Sequence, residues 1–131
     1  MGKVLVVKLQ LAFATLLLFS SATALADNSV NPACRIDKRV VGACFKVHGR
    51  FSNWNGNPTQ RIWIIGTRRI LGVREDTTLP PALEKRLGDF DDVATGDFEV
   101  CPLTSEQSGR MQIVCISAVA KFEMSKRKSS H

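Results

Sequence analysis

Four cysteines, Cys34, Cys44, Cys101 and Cys115, are the side chains of this sequence best equipped for covalent or metal chemistry. A thiolate catalyst needs a base beside it, and His48 is the only internal histidine, His131 being the last residue. A zinc site needs ligands at short, fixed spacings, and neither Cys-x-x-Cys nor a cysteine–histidine pair of that kind is present. A Ser-His-Asp set fails on the same shortage of histidine. The four cysteines therefore read as structural bridges.

Four cysteines can pair in three ways. A turn over 105–109 would join strands at 96–103 and 111–122 and set Cys101 opposite Cys115. The same register places Phe98 against Ala118 and Val100 against Ile116 on an inner face, with both cysteines on the outer one. The favoured pairing is Cys101–Cys115, which leaves Cys34–Cys44 to tie the N-terminal segment to the first long strand.

Other groupings also bear on chemistry. His48 lies between Lys46 and Arg50 on a polar strand face, as a surface histidine beside two cations would. Asp89, Asp91, Asp92, Asp97 and Glu99 offer hard oxygen ligands at close spacing. They do not match the EF-hand loop, because Ala94 stands where its glycine belongs. They read as a solvated loop and an outward strand face, and no metal is assigned. Gly42, Gly49, Gly56 and Gly66 are scattered and form no phosphate-cradling loop, so no cofactor is implied. Arg61, Arg68 and Arg69, with Trp63 and the turn residue Trp54, form a weak ligand-binding candidate, since arginine beside tryptophan suits anionic or carbohydrate contacts.

The first 26 residues set the expected compartment. Lys3 and Lys8 flank the start of an apolar run that ends at Ala24-Leu25-Ala26, the pattern of a cleaved signal peptide over 1–26. The run is too short for a spanning helix, and no second one follows. Asp27 after the cut argues against lipid anchoring. The expected product, 27–131, is one exported domain, periplasmic or extracellular, and a monomer. Without Lys3 and Lys8 the formal charge falls from +6 to +4. Three of those charges are Lys126, Arg127 and Lys128, expected to form a disordered basic tail. With no tyrosine and only two tryptophans, the chain is poor in stacking platforms, so nucleic acid is disfavoured as a partner.

These residues need a β scaffold. The stretch 44–51 alternates, with Phe45, Val47 and Phe51 on one face and Lys46, His48 and Arg50 on the other. Gly49 on the apolar face marks a bend. An Asn-Gly turn over 52–58 leads to strands at 60–65 and 69–74. Pro81 opens a short helix with Leu83 and Leu87 on one edge. Two further strands follow, over 96–103 and 111–122. Three strands, a helix and two strands is the order of the OB-fold, a small five-stranded barrel with its helix between strands three and four. The fold class expected is mainly β, an OB-like barrel; a small sandwich or roll is the alternative.

Several runs also carry a resemblance: Val47-His48-Gly49-Arg50, Arg61-Ile62-Trp63 with Gly66-Thr67, Leu71-Gly72-Val73, Gly96 through Pro102, and Met111 through Cys115. Over roughly 44–118 the chain resembles a group of small exported bacterial proteins of unknown function. The resemblance implies a bacterial export context and supplies no activity. The functional expectation is an exported, non-enzymatic binding or structural module for an unknown ligand or protein partner. The alternatives are a metal-assisted hydrolase on the carboxylates above and a binder of anionic polymers or nucleic acid.

Overall fold

The computed structural model describes residues 28–128. The expected signal peptide lies outside them. The elements are β1 (Ser29–Val30), α1 (Pro32–Arg35), β2 (Phe45–Asn53), β3 (Gln60–Ile64), β4 (Ile70–Val73), α2 (Pro81–Arg86), β5 (Asp92–Pro102) and β6 (Gln112–Lys126). The protein is mainly β. Strands β2, β3, β4, β6 and β5 pair in that order, and β5 pairs back to β2, which makes a ring. All these pairings are antiparallel except β4 with β6. The ring is not a regular barrel: β4 meets β6 at only Leu71 to Val73, and β5–β6 carries two register shifts. As expected, α2 stands between the third and fourth ring strands, and Pro81 is at its start.

Gly49, where a bend is expected, is the point at which β2 is most closely approached by its neighbours. Gly49 pairs with Ile64 on one side and with Gly96 on the other, because β2 serves two neighbours. A Cβ at Gly49 would sit 2.5 Å from Ile62 Cγ2 and 3.0 Å from the Trp63 carbonyl oxygen. At Gly96 it would sit 2.7 Å from Phe122 Cα. Two facing glycines let four strands, β3, β2, β5 and β6, pass this closely. Inside the ring, Phe51, Ile62, Leu71, Phe98, Val100 and Ile116 are fully buried, and Leu83 of α2 joins the same cluster.

The β5–β6 register agrees with the sequence expectation at Val100–Ile116 and Cys101–Cys115, then shifts. Phe98 faces Val119 in place of Ala118, because Ser117 is an extra residue between paired positions. The Ser117 hydroxyl donates to the carbonyl oxygen of Glu99 at 3.1 Å and to its carboxylate at 2.8 Å.

Two expectations are corrected. The disulfides are Cys34–Cys115 and Cys44–Cys101, not Cys101–Cys115 and Cys34–Cys44. Strand β5 lies between β2 and β6, so Cys101 has a neighbouring cysteine on both sides. Extending the Phe45–Val100 pairing by one residue sets Cys44 opposite Cys101. Reading only the β5–β6 hairpin hides that second neighbour. The 31–44 segment carries α1 and the two N-terminal cysteines. Strand β1 pairs with β6, and α1 seats Cys34 over the outer face of β5–β6, where Cys34, Cys101, Leu103 and Cys115 form a second small core. The basic tail is anchored as far as described: Lys126 ends β6 and bridges Asp89 and Asp92, and the Arg127 amide donates to the Asp91 carbonyl oxygen at 2.7 Å. The acidic loop supplies the partners that composition alone does not reveal.

Candidate functional site

Ile62 points into the core, so its neighbours Arg61 and Trp63 point outward from β3. On the adjacent strand Arg50 is the register partner of Trp63, and its guanidinium lies 5.5 Å from the centre of the indole. The Trp63 Nε1–H donates to the Thr67 carbonyl oxygen at 2.8 Å, which pins the ring against the β3–β4 turn. Just past β2, the Trp54 amide donates to the Thr59 carbonyl oxygen at 2.7 Å and holds the loop closed. The Trp54 side chain stays 42% exposed, an unusual state for so large an apolar group.

Trp54 is lined by cations. Arg61 lies 5.8 Å and Arg127 5.0 Å from the ring centre. Arg61 is oriented by its Nε–H donating to the Pro58 carbonyl oxygen at 2.9 Å. Arg127 donates through Nη2 to the Asn53 carbonyl oxygen and also lies 5.6 Å from the exposed ring of Phe90. The outer surface of β2–β3 and the loop after β2 thus carry two indoles, Trp54 with two guanidinium groups beside it and Trp63 with one. Such a surface offers flat apolar faces and hydrogen-bond donors with formal charge.

The five candidate residues do not form one cluster. Trp54, Arg61 and Trp63 share the outer surface of β3 and the loop before it. Arg68 and Arg69 sit in the turn at the other end of that strand. Arg69 is already engaged: Nη2 donates to Gln112 Oε1, and the guanidinium lies 5.6 Å from the Phe45 ring. Arg50, Phe90 and Arg127 belong with the tryptophans and escaped the sequence reading. Strand parity could have found Arg50, since it shares the outward face of its strand. No sequence signal connects Arg127 to Trp54.

Asp97, Glu99 and Asp92 are each engaged by different partners. Asp97 Oδ1 is 2.9 Å from His48 Nδ1, its cross-strand partner. Glu99 accepts from Arg35 Nε at 2.9 Å and from Ser117. The Ser117 hydroxyl and then Arg35 hold the Glu99 carboxyl below its ordinary value. Asp92 accepts from Lys126 and from the amides of Asp89 and Gly88 at 2.7 Å, and its carboxyl is held down to about 2. Among the described residues, the only three potential metal ligands drawn together are Cys34, Cys101 and Cys115, and all three sulfurs are in disulfides.

No protein family, curated protein or solved structure matches this chain. Among the described residues no helix is long and apolar enough to cross a membrane.

Proposed function

We propose that the protein is an exported, non-enzymatic binding module built on an OB-like ring, and that the outer surface of β2–β3 takes a saccharide bearing an anionic group. The observation that carries this reading is Trp54, exposed on a loop with the guanidinium groups of Arg61 and Arg127 beside it. A sugar ring would lie on the indole, and the arginines would donate to its acidic substituent. Export is supported by the apolar leader at 1–26, by two disulfides and by the resemblance to exported bacterial proteins.

Tryptophan fluorescence tests the reading directly. Titration with acidic oligosaccharides should quench or shift the emission saturably, while neutral ones bind more weakly. Trp54→Phe should reduce the spectral change, and Arg61→Ala the preference for the acidic sugar. Single-stranded nucleic acid as the better ligand, with affinity collapsing in modest salt, would move the assignment to an anionic-polymer binder. No response from any saccharide would end it.

A further inference from the structure

Because β4 and β6 run parallel, the segments that lead into them enter side by side at one end of the ring. The β3–β4 turn and the β5–β6 loop consequently face each other across a cavity of about 380 Å³. Arg68 and Arg69 line it from the turn, and Glu106, Arg110 and Gln112 from the loop and the start of β6. Three guanidinium groups meet one carboxylate there, leaving a local formal charge of +2 from these residues.

The three arginines are not equivalent. Arg69 is a fixed element, because Gln112 accepts from it and the Phe45 ring lies beside it. Gln112 is itself held by donating Nε2–H to the Thr104 carbonyl oxygen at 3.1 Å. Glu106 approaches Arg69 only to 3.7 Å and leaves much of its charge uncompensated. The side chains of Arg68 and Arg110 have no hydrogen-bond or ion-pair partner among the described residues. Elsewhere on this protein, arginines find partners: Arg35 has Glu99, Arg39 has Asp37 and Asp76, and Arg74 has Asp76. Unpaired like charges gathered at one cavity repel each other, and an anion between them removes that repulsion. The planar donor forks of guanidinium match the oxygens of a tetrahedral oxyanion.

We infer that this cavity is a binding site for a phosphate or sulfate group, distinct from the tryptophan-bearing surface and independent of the saccharide reading. The volume accommodates the oxyanion together with a small organic substituent, and Glu106 is placed to accept from a hydroxyl on it.

Calorimetric titration of the full chain with inorganic phosphate, glycerol phosphate and sulfate tests the inference. At low salt at least one of these should bind saturably, with a Kd on the order of 1 mM or tighter, and more weakly as ionic strength rises. Tighter binding of glycerol phosphate would assign the group to an organic ligand, and tighter binding of a free anion to the ion itself; either result supports the site. Arg110→Ala, in an exposed loop, should weaken binding about tenfold, Arg110→Lys less, and Arg68→Glu should remove it. Trp54→Phe and Lys85→Ala should leave it unchanged. Absence of saturable binding by all three anions would overturn the inference, as would equal affinity in wild type and a folded Arg110→Ala variant.

Discussion

Cys101 and Cys115 are directly opposed in the β5–β6 ladder, yet each is bonded to a cysteine from the N-terminal side, Cys101 to Cys44 and Cys115 to Cys34. The two bridges fasten the 31–44 segment over the outer face of the ring. They close loops with sequence separations of 57 and 81 residues. In the chain-entropy account each restricts the unfolded chain by about 4 kcal/mol, before any native strain. Removing either pair, as Cys34→Ser with Cys115→Ser or Cys44→Ser with Cys101→Ser, should therefore lower Tm by roughly 10 °C or more. Peptide mapping without reduction should recover Cys34 linked to Cys115. Recovery of Cys101 linked to Cys115 would contradict the connectivity.

The Gly49–Gly96 crossing should be intolerant of side chains. Gly96→Ala places its Cβ 2.7 Å from Phe122 Cα, where only backbone movement gives relief. A cost of about 2–3 kcal/mol is expected in urea unfolding. Gly66 has open space around the same position but a φ of +82°, so Gly66→Ala should cost only about 1 kcal/mol. Equal effects at the two sites would show that the ring is not tightly closed at Gly96.

What could be read in advance follows from locality. Alternation over 44–51 yields strand β2, and Pro81 yields the start of α2. The partner of Cys101 was not legible, because β5 has neighbours on both sides and only one of them is joined to it by a short hairpin. The separation of Arg68 and Arg69 from Trp54 follows from strand direction once β3 is placed. Their meeting with Arg110 follows from the parallel β4–β6 pairing, a long-range choice that no local pattern encodes. Lys126 and Arg127 look in sequence like any solubilising tail; the Asp89–Asp92 loop and Trp54 hold them in place.

Asp92 makes the stability of this closure depend on pH. Lys126, then the amides of Asp89 and Gly88, hold its carboxyl down to about 2, below the ordinary aspartate value of about 3.9 in an unfolded chain. A depressed carboxylate stabilises the folded state above the unfolded value, and that stabilisation disappears as pH falls toward the folded one. Asp92→Asn should thus be less stable than wild type at neutral pH. The gap should narrow below about pH 4 and close near pH 2. Asp37, held down to about 2 by Arg39, titrates in the same window, so the comparison is between the two proteins at each pH and not along one acid curve. A gap that stays constant from pH 7 to pH 2 would remove the Lys126–Asp92 pair as its cause.

Arg127 joins the chain end to the tryptophan surface, and its removal separates anchoring from exposure. Its guanidinium lies 5.0 Å from the Trp54 ring and 5.6 Å from that of Phe90, and donates to the Asn53 carbonyl oxygen. Arg127→Ala should uncover one side of the indole while the amide bond to Asp91 remains. Acrylamide quenching should then increase and the emission maximum move to longer wavelength, with little change in the Trp63 contribution, since that ring is pinned by Thr67. A double-mutant cycle with Trp54→Ala should give a coupling of about 0.5–1 kcal/mol, the range for an exposed cation–π pair. Zero coupling with unchanged quenching would mean that Arg127 contributes nothing to the orientation of Trp54, and the ligand surface would then be defined by Arg50, Trp54, Arg61 and Trp63.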